Sequence, residues 1–494
     1  MEVVHSIRPA LAILVSVVAA FLILTSDRHP NIRELWTLLA AVIKFALVAS
    51  LLPTVMEGKV AEFTFLEILP GLPLRLRVDS FGLYFALVAS GLWIFTSLYS
   101  IGYMRGLKEH AQTRYFFSFA LCLSATIGIA FAGNLLTFFV FYEMLSMATY
   151  PLVVHRETPE AVMAGRKYLA YLLTAGVFLL FSIGWAYSLV GNLDFVPGGF
   201  LAGHASKEVL QILFVTFMLG VGAKASIMPI HAWLPTAMIA PTPVSALLHA
   251  VAVVKAGVFG SVRVVCYVFG PSLLKEIDMG IVLAYFGAFT ILVASMFALA
   301  EDNLKRRLAF STISQLSYII LGAALISPNS LTGGILHIAN HAYMKITLFF
   351  TAGAIYVKTH VENISQMDGI GRQMPLTMGA FTVGALGMAG IPPVSGFLSK
   401  WYLVLGTLEA HEVVFLVVLL LSAILNIAYF FPVVFRAFFR SSDRFTSMDD
   451  ASPFMVVPLV ITAITSVVLG LAPNAVLNLL HLTRMSVENI LGAG

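Results

Sequence analysis

Residues 219–258, LGVGAKASIMPIHAWLPTAMIAPTPVSALLHAVAVVKAGV, set Lys224, His231, His249 and Lys255 within or beside sequence apolar enough for a bilayer. Pro229, Pro235, Pro241 and Pro243 interrupt the same stretch. A cation at the bilayer centre costs roughly 2.5–3.5 kcal/mol on insertion scales, so such side chains face protein or water and are functional candidates. A helix broken at membrane depth is tolerated only where its freed backbone groups meet protein or a wet cavity, which is how transporters often build a midplane ion site. The stretch therefore reads as part of an ion path.

Three further groups of residues fit that chemistry. The run NLLTFFVFYEMLSMATYPLVV holds one acid, Glu143, midway between apolar flanks. An unpaired carboxylate there is costly, so it is protonated or matched to a cation, and Lys224 is the natural partner. A static ion pair that fixes helix packing is the blander reading, and buried pairs are weak evidence for stability. His337, His341 and Lys345 follow at i, i+4 and i+8, on one helix face with about 6 Å between successive turns. That distance is too long for direct hydrogen bonds but suits one bridging water per gap. Core histidines bonded to backbone carbonyls are the alternative, and no carboxylate or cysteine accompanies them to suggest a metal. Finally, Gly390-Ile391-Pro392-Pro393-Val394-Ser395-Gly396 leads to Lys400 and Trp401. Proline removes a backbone donor and clashes with the preceding turn, so Pro392 and Pro393 are expected to unwind the helix and free carbonyls, with Lys400 about two turns beyond.

The elements that must position these groups are helices in a membrane. Hydrophobic residues make up 59% of the chain and charged ones 11%, far from the soluble average of about 25% charged, and the mean hydropathy is +0.93. The sequence predicts an all-α polytopic membrane protein. Spans of about 20 apolar residues number roughly fourteen: near 7–26, 35–55, 79–102, 115–132, 134–154, 165–191, 209–239 (broken), 243–269, 279–300, 307–327, 331–357, 375–408 (broken), 412–438 and 454–482. The first is expected to be a true span, since a basic n-region and a cleavage site are lacking. Of the 29 Lys and Arg, sixteen fall in alternate loops that would be inward if the N-terminus is outside, and seven fall outside. The positive-inside rule then puts both termini outside.

Other signals invite plainer readings. Lys44 and Arg263 lie within spans and are expected to be structural, Arg263 near enough to a helix end to snorkel. The segment from Glu57 to Asp79, with Pro53, Pro70 and Pro73 nearby, reads as an extended, exposed loop without chemistry. Thr158-Pro159-Glu160 marks a helix start, and Arg166 and Lys167 read as positive-inside anchors. Cys122 and Cys266 fall in apolar runs, where buried packing is expected rather than a disulfide or metal site. No CxxC pair or Cys/His cluster with ligand spacing is present, so no cofactor or redox centre is expected in this chain.

The runs KASIMPIHAWLPTAMIAPTPVSALLHA, FYEMLSMATYPLV, HIANHAYMKITLFF and GIPPVSGFLSKW resemble the antiporter-like subunits shared by Mrp-type multisubunit sodium/proton antiporters and the membrane arm of respiratory complex I. Membrane-bound hydrogenases use similar subunits. The resemblance covers roughly residues 75–440, and the length, the RKYL run and a lysine at position 400 look most like the Mrp D-type subunit. It implies N-terminal scaffold helices within 1–110, two inverted five-helix repeats at about 115–269 and 279–438 with helices 7 and 12 broken, and a C-terminal helix in 454–494. It also implies a central acid matching Glu143, and lysines matching Lys224, Lys255 and Lys400.

The mechanism expected from the residues is a relay. Burial and a nearby carboxylate pull a lysine's proton affinity in opposite directions, so Lys224 and Glu143 switch as a coupled pair. A proton shed by Lys224 passes along Lys255, His249 and water to His337, His341 and Lys345, then to Lys400 and out; histidine near pKa 6.5 suits the shuttle role. Three function classes follow. The first is a proton-translocating subunit of a cation/proton antiporter complex in a bacterial or archaeal cell membrane, partnered by other membrane subunits and lipid. The second is a membrane-arm proton-pumping subunit of an NADH:quinone oxidoreductase or membrane-bound hydrogenase, without redox chemistry of its own. The third is a secondary transporter for an organic solute, against which the lysine and histidine rows argue. Sodium needs oxygen ligands, and no compact carboxylate cluster lies within the spans.

Overall fold

Apolar runs too long for any soluble core dictate helices, and helices dominate the computed structural model, which describes residues 2–69 and 71–492. Met1, Pro70, Ala493 and Gly494 lie outside the described residues. The principal helices in chain order are α1 (Arg8–Thr25), α2 (Pro30–Ala49), α3 (Ser80–Gly106), α4 (Gln112–Phe131), α5 (Leu135–Val153), α6 (Pro159–Val190) and α7 (Lys207–Ala225). There follow α8 (Thr242–Phe269), α9 (Met279–Ala300), α10 (Leu304–Ala324), α11 (Pro328–Thr359), α12 (Pro375–Ala389), α13 (Ser395–Glu409), α14 (Val413–Phe439), α15 (Pro453–Leu471) and α16 (Leu479–Leu491). Among the described residues, eleven helices are long and apolar enough to cross a membrane, and the protein is multi-pass. Two long helices outside that set, α10 and α11, carry polar side chains along their length and are almost wholly buried. α11 is enclosed by α3, α10, α12, α13 and α15, so its polar residues meet protein rather than lipid.

Helix starts follow from local chemistry. Asp79, Asn134, Thr158 and Asn303 each accept a hydrogen bond from a backbone N–H in the first turn of α3, α5, α6 and α10, a cap worth about 0.5–2 kcal/mol. Thr158 with Pro159 thus performs as its sequence suggests. The last apolar run ends earlier than expected: α15 stops at Leu471 because Pro473 cannot continue it, and α16 is a separate helix.

The segment from Glu57 to Asp79 corrects the loop reading. Val60–Leu69 (β2) and Leu72–Val78 (β3) pair antiparallel, and Val3–His5 (β1) adds parallel to β2. Polar residues alternating with aromatic ones at Glu62-Phe63-Thr64-Phe65 favour a strand, a signal the span count passed over. Pro73 sits in β3, Pro53 lies in the short helix Leu52–Met56, and Pro70 is outside the described residues. The hairpin is tied down by Arg75, which pairs with Asp194 and, at 3.5 Å, with Glu62, while its backbone N–H donates to Thr137 at 3.0 Å.

Lys44 and Arg263 do not snorkel. Lys44 is fully buried, donating to Ser16 Oγ at 2.6 Å beside the Trp93 ring. Arg263 is 2% exposed and donates twice to Asp79, at 2.5 and 2.8 Å, among the rings of Phe81, Phe195, Phe259 and Tyr267. Both cations are held inside by partners that other helices supply. Cys122 and Cys266 are buried free thiols.

Candidate functional site

The first break follows α7. Ser226 takes a left-handed conformation (φ 58°) and the chain runs irregularly through Pro229 before a short helix at Trp233–Thr236. At the break the Ala223 carbonyl accepts from the Ser226 N–H at 3.1 Å and from Trp233 Nε1 at 2.8 Å. Lys224 therefore lies in the last turn of α7, where the helix dipole favours a cation. Its ammonium donates to the Tyr142 carbonyl, stands 3.1 Å from the centroid of the Tyr142 ring and is 3.7 Å from Glu143 Oε1. Lys224 is fully buried, and the Glu143 side chain is 20% exposed.

Two glycines permit this approach. A Cβ on Gly176 of α6 would meet both Glu143 carboxylate oxygens within 3.0 Å. A Cβ on Gly257 of α8 would strike the Ala225 nitrogen at 2.1 Å, so only glycine lets α8 pass the end of α7. Lys167, expected to be a surface anchor, instead donates to Thr236 Oγ1 at 3.0 Å and pins the segment beyond the break; Arg166 is exposed as expected.

The second break lies between α12 and α13. Gly390 (φ 84°) ends α12, Pro392 and Pro393 occupy the break, and α13 begins at Ser395. Lys400 reaches back to the freed Met388 carbonyl at 2.5 Å, over the Tyr318 ring at 5.1 Å. A Cβ on Gly390 would meet Lys400 Cδ at 2.9 Å.

Between the breaks, α8 and α11 cross. Thr242–Phe269 is α-helical at Thr242–Ala246 and Val253–Arg263 and widens into π turns at Leu247–Val251 and Val264–Phe269; such widening is frequent at functional sites. Lys255 Nζ is 2.7 Å from His341 Nδ1. His337 and His341 stand 5.8 Å apart between ring centroids, as their spacing requires, with no hydrogen bond between them. Their bonds run sideways instead. His337 Nδ1 meets Ser399 Oγ at 2.8 Å and its Nε2 meets Gln315 Oε1 at 3.0 Å, while Tyr318 stacks on its ring at 5.5 Å. Gln315 Nε2 donates onward to Asn426 at 3.2 Å. Lys345 donates to Ser311 Oγ and, at 3.3 Å, to the Leu308 carbonyl.

The structure thus joins Glu143 with Lys224, Lys255 with His341, and His337 with the residue preceding Lys400. It does not join Lys224 to Lys255 by any hydrogen bond among the described residues. His249 lies in the first π turn, packs on Phe349 at 4.7 Å and bonds neither Lys255 nor His341. His231 is partly exposed and bonds only the Pro229 carbonyl, at 3.3 Å. Sequence reasoning overlooked Tyr142, Gly176, Gly257, Ser399 and the α10 row Ser311, Gln315 and Tyr318. That row is an i, i+4, i+7 stripe within a span that also carries Thr312, Ser314 and Ser317.

Several buried polar atoms along these groups make no hydrogen bond within the described residues: Glu143 Oε1, Ser226 Oγ, Ser245 Oγ, both His249 nitrogens, His341 Nε2 and Tyr318 OH. At the loop end of the same region, a cavity of about 430 Å³ is lined by Arg156, Thr236, Asn303, Lys305, Arg306 and Glu362, among others. Lys305 donates from its wall to the Ala240 carbonyl, at 2.6 Å, just before α8.

Residues 132–426 match the family described as NADH:quinone oxidoreductase/Mrp antiporter, TM. NADH-quinone oxidoreductase subunit N of Desulforudis audaxviator is 34% identical over 397 residues, 76% of this chain and 77% of that one. A Na(+)/H(+) antiporter subunit of Alkalihalophilus pseudofirmus is 30% identical over 441 residues, 82% of this chain, which spans only 53% of that longer protein. The fold matches a chain in the structure of the Mrp complex from Dietzia sp. DQ12-45-1b with a TM-score of 0.86 at 21% identity, covering 98% of each chain. The motifs, the two lysine-bearing helix breaks and these likenesses agree, and the chain belongs to the NADH:quinone oxidoreductase/Mrp antiporter transmembrane family.

Proposed function

We propose that this chain is a proton-translocating, antiporter-like subunit of a multisubunit cation/proton antiporter complex in a bacterial or archaeal cell membrane. The observation that carries the reading is the row of buried polar atoms between Glu143 and Lys400 that make no hydrogen bond within the described residues. Buried polar groups are normally paired, and water is their usual partner where protein supplies none. Waters at these positions would connect Glu143 and Lys224, through the π turn holding His249, to Lys255 and His341. From there the path continues through His337 and Ser399 to Lys400, with Lys345 a side station on Ser311. The family relative named for sodium/proton antiport supports the antiport reading.

The finer architecture belongs to the same proposal. Counting α10, α11 and the pair α12–α13 with the eleven apolar helices gives fourteen spans, of which 1–110 and 454–494 flank two inverted repeats at 115–269 and 279–438. Each repeat contains one broken helix whose lysine donates to a carbonyl, that of Tyr142 in the first and of Met388, beside the break, in the second. Both termini face outside, by the excess of Lys and Arg in the opposite loops.

The test is pH-gradient dissipation in vesicles holding the purified assembly: Glu143→Gln should abolish it while the subunits still assemble, and normal dissipation by that variant would refute the role. A second reading has its own support. The relative at 34% identity is a respiratory oxidoreductase subunit, which fits a membrane-arm proton pump driven by redox partners. Iron and flavin in the purified native assembly would select it.

A further inference from the structure

Glu109 and His110 lie in the loop between α3 and α4, and His155 lies in the turn between α5 and α6. One ligand atom from each comes within 4.8 Å of the others. Glu109 Oε2 is 3.9 Å from His110 Nδ1 and 3.9 Å from His155 Nε2, and the two imidazoles stack at 4.9 Å. These separations exceed hydrogen-bond length, so the three groups face one another without bonding. A tetrahedral zinc ion with bonds of about 2.0–2.1 Å sets its ligand atoms about 3.3 Å apart, so the three groups would have to close in from separations of 3.9 to 4.8 Å.

A second observation points into the same space. His155 is fully buried and neither of its ring nitrogens has a hydrogen-bond partner, which is uncommon for a buried polar group. Arg114 fixes the backbone there, donating to the His155 carbonyl at 3.1 Å, and its charge is matched by Glu157. Glu157 Oε2 is itself 4.0 Å from His110 Nε2, so a second carboxylate flanks the cluster.

We propose that Glu109, His110 and His155 form a binding site for a divalent transition-metal ion of the zinc type, with water completing the coordination. Two imidazoles and one carboxylate select such ions over magnesium or calcium, which prefer all-oxygen sites. The bound ion ties the α3–α4 loop to the end of α5, the helix that carries Glu143.

The test uses the full-length chain in its native assembly, stripped with a chelator and placed in lipid nanodiscs. Zn²⁺ is titrated with bound metal counted by mass spectrometry, and Co²⁺ is titrated with its visible absorption as the coordination signature. One ion per chain is expected to bind at this site, with affinity lowered at least about tenfold in His110→Ala and in Glu109→Gln and unchanged in His481→Ala. His110 is half-exposed, so its variant folds even if His155→Gln does not. Equal Zn²⁺ stoichiometry and affinity in the parent, His110→Ala and Glu109→Gln would overturn the site, as would a Co²⁺ spectrum insensitive to both substitutions.

Discussion

The two broken helices solve the same problem with different materials. At the first, Lys224 sits before the break, against a carbonyl, an aromatic face and the carboxylate of Glu143. At the second, Lys400 sits after the break, against a carbonyl and an aromatic face, with no carboxylate paired to it among the described residues. One ammonium has a counter-charge and the other has only dipoles. A buried cation without an anion is costly, so the first site suits holding charge and switching it, and the second suits passing it on.

The contrast would break first at Glu143. Glu143→Gln and Lys224→Met should each lower proton translocation by about 100-fold or more, and the double variant should be no worse than either, since groups acting as one unit are not additive. Independent, additive losses in vesicle assays would remove the idea of a coupled pair. The link between the sites is next: His341→Ala strands Lys255, and losing a hydrogen bond to a charged group costs about 1.5–3 kcal/mol. Translocation should then fall about 10- to 100-fold with assembly intact on a sizing column. Gly176→Ala sharpens the first site alone. Its methyl would crowd the Glu143 carboxylate at an overpacking cost of about 1–3 kcal/mol, slowing translocation several-fold, whereas Gly184→Ala on the same helix meets open space and should match the parent. The smallest effect is expected at the second site. Ser399→Ala removes one neutral hydrogen bond to His337, worth about 0.5–1.5 kcal/mol, and a loss of translocation as deep as that of Glu143→Gln would place the switch on the wrong side of the molecule.

Much of this was legible in the sequence because membranes penalise charge and proline disrupts helices. Glu143, Lys224 and Lys400 stand out in their spans for the first reason, and Pro229 with the Pro392–Pro393 pair locates both breaks for the second. What could not be read was lateral contact. The His337, His341 and Lys345 row looked like a wire along one helix, yet His341 bonds across to Lys255 on α8 and His337 across to Ser399 on α13. Spacing within a helix fixes which residues share a face and says nothing about which helix that face meets. Arg263 failed for the same reason: its partner Asp79 is far away in sequence, so nearness to a helix end suggested water where the fold supplies an acid. The hairpin of β2 and β3 was missed because a span count treats everything between helices as loop.

Asp79 carries two duties with one carboxylate: it caps α3 through the Gly82 N–H at 2.7 Å and holds both arms of the Arg263 guanidinium. α8 follows α3 by a long stretch of chain, so this contact closes one of the larger loops of the fold. One carboxylate thus bolts the start of the third helix to the eighth across 184 residues of chain.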